Sequence, residues 1–255
     1  MTRSVGIVVP AFRPDVERLR SYVEALAETL DPAEIRIELD DPDDGVRSAL
    51  ADCPATVNPV PYRRGKGAAI TAGFEALETD VLAFADGDGS TPPDSFASVV
   101  ERVRDGTCDL AVGSRRHPDA RVRSHQTFAR RFLGDGFAWL AGRLLDVSLS
   151  DYQCGAKAID RDAWERVRAH LYEPGFAWDV ELVAMAGALG LDVVEVPIEW
   201  HDQPGSTVAP VRTSVRLART LLSVRHRAKQ LQDDPFHSAI AAHREEPTAL
   251  VERDR

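Results

Sequence analysis

The chain opens by alternating apolar runs, polar breaks and helical patterns. Val5-Gly-Ile-Val-Val is broken by Pro10 and followed by apolar residues at Val16, Leu19, Val23, Leu26 and Leu30, the spacing of one helix face. Ile35-Arg-Ile-Glu-Leu39 runs into Asp40-Asp41-Pro-Asp-Asp-Gly45. A third segment reaches Arg64-Gly65-Lys66-Gly67 and a small-residue helix ending near Leu77. Val81-Leu-Ala-Phe-Ala85 then stops abruptly in Asp86-Gly87-Asp88-Gly89. Strands alternating with helices form a mostly parallel sheet covered by helices, and ligands gather beyond the carboxyl ends of its strands. Each charged cluster named here falls at such an end. With 255 residues, no internal repeat and no Gly/Ser-rich linker, one α/β domain is expected.

Two carboxylates one residue apart at a strand end are hard oxygen ligands suited to Mg or Mn. Through the metal they can hold a diphosphate. Taken alone, Asp86-Gly87-Asp88 reads more readily as an acidic turn, since turns and helix caps collect Asp. Its surroundings favour the first reading. Pro10, Ala11, Phe12 and Arg13 bring backbone, an aromatic ring and a guanidinium to the end of the first strand, where a base can sit. Asp40 and Asp41 can accept from a ring N–H and touch a ribose hydroxyl. Arg64, Gly65 and Lys66 lack the Walker spacing, so they form either a phosphate-side loop or a surface turn. No Gly-x-Gly-x-x-Gly follows the first strand, which argues against a dinucleotide dehydrogenase.

The ordered set of Pro-Ala-Phe-Arg13, Asp40-Asp41, Arg64-Gly-Lys-Gly67 and Ala85-Asp-Gly-Asp-Gly89 resembles family 2 glycosyltransferases of the GT-A fold. Gly113-Ser-Arg115-Arg116, Asp151-Tyr-Gln153-Cys-Gly-Ala-Lys157, Phe176-Ala-Trp178-Asp179-Val-Glu181 and Val196-Pro-Ile-Glu-Trp200 are similar to later motifs of dolichyl-phosphate glucosyltransferases and dolichyl-phosphate mannose synthases. The resemblance covers roughly residues 4 to 231. It implies a nucleotide-sugar-binding half (4–115) and an acceptor and donor-sugar half (116–210); the spacing of apolar and basic residues gives an amphipathic helix (211–231), and the polar, weakly patterned remainder a mobile tail (232–255). The resemblance also implies donor and acceptor phosphates on Arg115 and Arg130, with Arg131, Trp178 and Asp179 beside the acceptor. Asp151 and Gln153 would shape the donor-sugar pocket. In relatives with hydroxyl acceptors the aspartate in the Asp179 region is the base; here the alternative is a helix-start carboxylate favoured by the dipole.

The acceptor decides which groups the site needs. A hydroxyl must lose a proton to a general base, whereas a polyprenyl phosphate is already anionic near neutral pH and needs cations. Arg115, Arg116, Arg130 and Arg131 supply them, and the planar guanidinium suits phosphate. With the resemblance, which implies inversion and glucose or mannose from UDP or GDP, we expect a metal-dependent, inverting hexosyltransferase acting on dolichyl or polyprenyl phosphate. It would feed protein glycosylation or cell-surface glycan synthesis. The alternatives are a sugar or glycolipid hydroxyl acceptor, with Asp179 as base, and a catalytically silent nucleotide-sugar-binding subunit of a membrane assembly.

A net charge of −10 disfavours nucleic-acid partners. Lysine occurs only at 66, 157 and 229, and the arginine- and aspartate-rich balance fits a salt-adapted, haloarchaeon-like cell. Where lysine is so scarce, the two inside motifs, Lys66 and Lys157, carry more weight. Cys53, Cys108 and Cys154 lack metal-ligand spacing and suit a reducing cytoplasm. There is no leader-like start and no apolar run near the ~18 residues of a membrane span. Val211 to Leu231 interleaves Val211, Val215, Leu221 and Leu222 with six basic residues and no acid, the pattern of an interfacial helix on anionic lipid. The expected location is the inner face of the cell membrane, held directly or through a separate membrane protein.

Overall fold

The computed structural model describes residues 2–123, 128–202, 210–235, 237 and 248–253. In chain order the elements begin with β1 (Val5–Phe12), α1 (Val16–Leu30), β2 (Glu34–Asp40), α2 (Val46–Ala49), β3 (Thr56–Val60), α3 (Lys66–Ala76), β4 (Val81–Ala85), α4 (Pro93–Arg104), β5 (Leu110–Ser114) and β6 (Arg121–Arg123). There follow α5 (Phe128–Leu144), β7 (Ala156–Asp160), α6 (Arg161–Val167), α7 (Trp178–Ala188), β8 (Val193–Pro197), β9 (Glu199–His201), α8 (Pro210–Leu231) and α9 (Leu250–Arg253). Local chemistry explains the first helix: Asp15 caps α1 by accepting from the Arg18 N–H, and the chain leaves it through Asp31 in the left-handed region.

Seven strands form one sheet in the order β3-β2-β1-β4-β7-β5-β8, and β6 pairs with β9 in a small second sheet. Every neighbour in the main sheet is parallel except β7, which runs antiparallel to both β4 and β5. The run Val81–Ala85 is apolar throughout because the sheet is covered on both faces. Val81, Ala83 and Ala85 pack with α1 and α4 residues such as Leu19 and Phe96. Leu82 and Phe84 face the layer containing Phe74, Trp164 and Trp178.

Two features of this topology assemble the site. The strand order reverses between β1 and β4, so the carboxyl ends of those neighbours open a crevice beside Asp86. The antiparallel β7 pairs Ala156 with Ala85, which returns the preceding Asp151–Gly155 segment to the same rim.

The carboxyl-terminal region departs from its sequence-based expectation. Leu221, Val224 and Ala228 of α8 are buried in the domain's own core, while Leu222 is 61% exposed. Arg227 pairs with Glu181 and Glu173, and Lys229 lies 2.9 Å from Asp146. In the second half of the basic stripe, Arg227 and Lys229 are therefore partnered by acids of the same chain, and Arg225 donates to the Leu144 carbonyl. The segment expected to be a mobile tail also has a docked part. Ala249 and Leu250 are buried, and the Leu250 N–H donates to the Leu171 carbonyl.

Candidate active site

Asp86 and Asp88 follow β4 directly. The Asp86 side chain is 41% exposed and Asp88 is exposed, so both carboxylates reach the rim. One oxygen of Asp88 accepts from the Ser90 N–H at 2.9 Å, which fixes the turn. The Asp86 N–H donates to Gly155 O at 2.9 Å, tying this loop to the segment before β7. A Cβ on Gly155 would fall 1.8 Å from Asp86 Oδ2, so only glycine leaves the carboxylate where it stands. Two adjacent, accessible, all-oxygen donors fit Mg or Mn, provided diphosphate and water complete the shell. Among the described residues no cluster of three or more His, Cys, Asp or Glu side chains could hold a metal without such help.

Beneath Asp86 lies a chain of charges. Lys66, the first residue of α3, places Nζ 2.9 Å from Asp86 Oδ1 and 3.0 Å from Asp179 Oδ2. Asp179 Oδ1 in turn lies 2.5 Å from Lys157 Nζ, which also donates to the Cys154 carbonyl at 2.7 Å. Asp179 and Lys157 are almost wholly buried. Burial disfavours the charged form of Asp179, yet Lys157 and Lys66 outweigh it and hold the carboxyl below its usual range. Burial would likewise lower the Lys66 pKa, but Asp179 and Asp86 raise it above that of a free lysine.

Arg115 and Asp151 form the second paired group. Arg115 leaves the end of β5 and grips Asp151 with Nε at 2.7 Å and a terminal nitrogen at 3.0 Å, the bidentate fork. Its own backbone N–H donates to the same carboxylate at 3.2 Å. Burial acts against both charges, but mutual attraction dominates, raising the Arg115 pKa and lowering that of Asp151. Glu195 of β8 holds the segment from below by accepting the N–H groups of Ser150 and Asp151. Arg116 lines a groove of about 380 Å³ with Trp139, Arg143 and Ser148. Trp139 is 65% exposed there.

At the nucleotide end, Phe12 is flanked by guanidinium groups 4.1 Å (Arg63) and 5.3 Å (Arg13) from its ring centre. Asp40 is buried and already occupied, accepting from Arg64 Nε at 2.7 Å and from the Gly65 N–H at 2.9 Å. Gly65 has φ 101°, and a Cβ there would lie 2.5 Å from Pro174 O, so this loop requires glycine. Asp41 remains at the surface, 3.5 Å from Arg13.

Trp178, expected beside the acceptor, is instead a core residue. It is fully buried, its ring packs edge-on against Phe84, and its indole N–H donates to Thr71 Oγ1 at 3.1 Å. The side chains of Arg130 and Arg131, on α5, lie outside the described residues. Gly87 and Gln153 sit on the expected strand-end loops, whereas Pro10 does not break the first strand: β1 runs on through Pro10 and Ala11, which pair with Glu38 and Leu39 of β2. Cys154 is buried, which pushes its thiol up to about 12 and makes it a packing residue. Sequence reasoning missed Glu38, and it singled out Lys157 without assigning it a place in the site. Glu38, fully buried in β2, accepts from Asn58 and pairs with Arg64; in a strand that alternates Glu34, Arg36, Glu38 and Asp40 with apolar residues, nothing set it apart. Lys157 carried a usable signal in the scarcity of lysine.

A doubly covered, mostly parallel sheet that gathers carboxylates and guanidiniums at its switch point has the architecture of the GT-A fold. The chain belongs to glycosyl transferase family 2, whose model matches residues 6–168. Glycosyltransferase AglD of Haloferax volcanii is 31% identical over 231 residues, 86% of this chain and 36% of that protein. The dolichyl-phosphate beta-glucosyltransferase of mouse is 32% identical across 64% of this chain and 52% of its own, and the human one 28% identical across 89% and 76%. The chain thus spans about a third of the haloarchaeal relative and half of the mouse one. Among solved structures, glucosyl-3-phosphoglycerate synthase of Mycobacterium tuberculosis, in complex with Mn2+, UDP-glucose and phosphoglyceric acid, aligns with a TM-score of 0.66. That match has 17% identity and covers 88% of this chain and 80% of that one, a likeness of fold.

Proposed function

We propose that the protein transfers a hexose, glucose before mannose, from a UDP- or GDP-linked donor to the phosphate of dolichol or another polyprenol. Names of relatives support the acceptor class: the mouse and human proteins are dolichyl-phosphate beta-glucosyltransferases. One observation carries the reading. Asp179, the base expected for a hydroxyl acceptor, is buried and ion-paired to both Lys66 and Lys157. Taking up a proton would leave Lys66 with Asp86 alone and Lys157 with the Cys154 carbonyl in place of a counter-charge, so Asp179 is a poor base. A phosphate acceptor needs none.

In the step itself, an acceptor phosphate oxygen attacks the anomeric carbon while the bond to the donor diphosphate breaks, and the configuration inverts. Asp86 and Asp88 would hold a divalent cation, which supplies counter-charge to the departing diphosphate. Lys66 adds a fixed positive charge on the same side. Arg115, aligned by Asp151, offers its remaining N–H groups to phosphate. Residues 4–115 would hold the donor and 116–210 the acceptor, with Arg130 and Arg131 nearest the lipid phosphate. The exposed Trp139 would face the prenyl chain. The work would be done at the inner face of the membrane; among the described residues no helix is long and apolar enough to cross it.

The test offers radiolabelled UDP-glucose, UDP-galactose and GDP-mannose with polyprenyl phosphate and Mg or Mn. Label from UDP-glucose is expected in the organic phase and should be released by mild acid, as a glycosyl phosphate is. Label held in an acid-resistant glycoside would overturn the phosphate acceptor in favour of a hydroxyl.

A further inference from the structure

We propose that Asp179 and Lys157 are positioning residues that set the charge of the donor-phosphate site through Lys66. The proposal rests on the donor reading above. Four groups from four elements of the sequence meet in a line: Lys157 on β7, Asp179 on α7, Lys66 on α3 and Asp86 after β4, with successive separations of 2.5, 3.0 and 2.9 Å. Their formal charges cancel. Only Asp86, at the outer end, is substantially open to solvent, so a ligand meets the chain there.

Both lysines also sit over the Phe84 ring, 5.1 Å and 5.5 Å from its centre. That floor holds them without supplying an anion. Asp179 is therefore the buried counter-charge that lets Lys66 approach Asp86 without drawing its carboxylate wholly inward. With Asp179 in place, Asp86 keeps an oxygen for a divalent cation. With Asp179 neutralised, the site gains one net positive charge and Lys66 competes for Asp86 without restraint. With Lys157 neutralised, the imbalance has the opposite sign.

The two changes are therefore expected to move metal and diphosphate affinity in opposite directions. Asp179→Asn should weaken Mn2+ binding roughly tenfold and strengthen binding of UDP in excess chelator by a similar factor. Lys157→Met should do the reverse, with tighter Mn2+ and weaker metal-free UDP. The double variant Asp179→Asn with Lys157→Met restores charge balance and should return both affinities toward the wild type. Mn2+ binding is read by electron paramagnetic resonance and UDP binding by calorimetry, with circular dichroism confirming the fold. If either single variant does not fold, the other and the double variant still carry the sign test. Affinities that fall together, stay unchanged, or fall further in the double variant would overturn the positioning role. A wild-type protein that binds neither UDP nor GDP under any condition would overturn the donor reading first, before a variant is made, and this proposal with it; one that binds only GDP moves the same sign test to GDP.

Discussion

At the scale of single residues, the site depends on what is missing as much as on what is present. Gly155 has no side chain where one would collide with Asp86. Gly155→Ala should therefore swing the Asp86 carboxylate aside and reduce transfer at least about a hundredfold, while the fold loses no more than about 1 kcal/mol because Asp86 lies at the rim. Steady-state assay and a thermal melt would separate the two effects; a fully active Ala variant would show that Asp86 is not needed where it stands. Asp86→Asn and Asp88→Asn should each abolish transfer, and excess chelator should do the same to the wild type. Activity that survives chelation would remove the metal from the reaction. Much at this scale was legible, because Asp86, Asp88, Lys66 and Arg115 announce themselves at strand ends. What was not legible is pairing. Nothing in the sequence says that Asp179 and Lys157, 22 residues apart, share a bond. Nor does it say that Trp178, next to a site carboxylate, turns into the core.

Among the elements, the docking of α8 against α7 turns on Glu181. This carboxylate is fully buried and accepts from the Tyr172 and Glu173 N–H groups at 2.7 and 2.8 Å, with Arg227 of α8 completing its shell. Burial pushes its pKa up to about 7 against the pull of Arg227 and the two backbone donors. A folded pKa raised above the unfolded one means a stabilising contribution that is full below about 4.5 and lost as pH climbs through about 7. Arg227→Met should leave the ionised carboxylate without its partner, costing about 3–5 kcal/mol at pH 8. The loss should be smaller at pH 5, where Glu181 is protonated. Denaturant melts of both proteins at the two pH values would check this, and a pH-independent difference would refute it. The parallel strands and α1 were readable from periodicity, since burial on both faces makes strands continuously apolar. The antiparallel β7 was not: its Ala-Lys-Ala-Ile-Asp sequence carries no mark of direction, which is fixed by pairing with β4 and β5.

For the molecule as a whole, the question is how an acidic protein would reach a lipid acceptor. Sequence periodicity assigned the whole stripe from Val211 to Leu231 to the membrane, because an apolar face looks the same whether it meets lipid or protein. The fold divides that face: Leu221 belongs to the core, while Leu222 faces out. The two neighbouring leucines should therefore answer differently to the same substitution. Leu221→Asp buries a charge among apolar side chains and should destabilise the domain by about 3 kcal/mol or more, visible as a lowered melting temperature. Leu222→Asp should leave the melt within a few tenths of a kcal/mol of wild type and yet weaken co-sedimentation with vesicles rich in phosphatidylglycerol. Arg216→Glu with Arg219→Glu should weaken it too, and that part should fade as salt screens the lipid charge, leaving the apolar contribution at molar salt. Vesicle binding that is unchanged by both Leu222→Asp and the arginine pair would show that α8 serves only its own domain and that another surface, or a partner protein, carries the enzyme to its lipid.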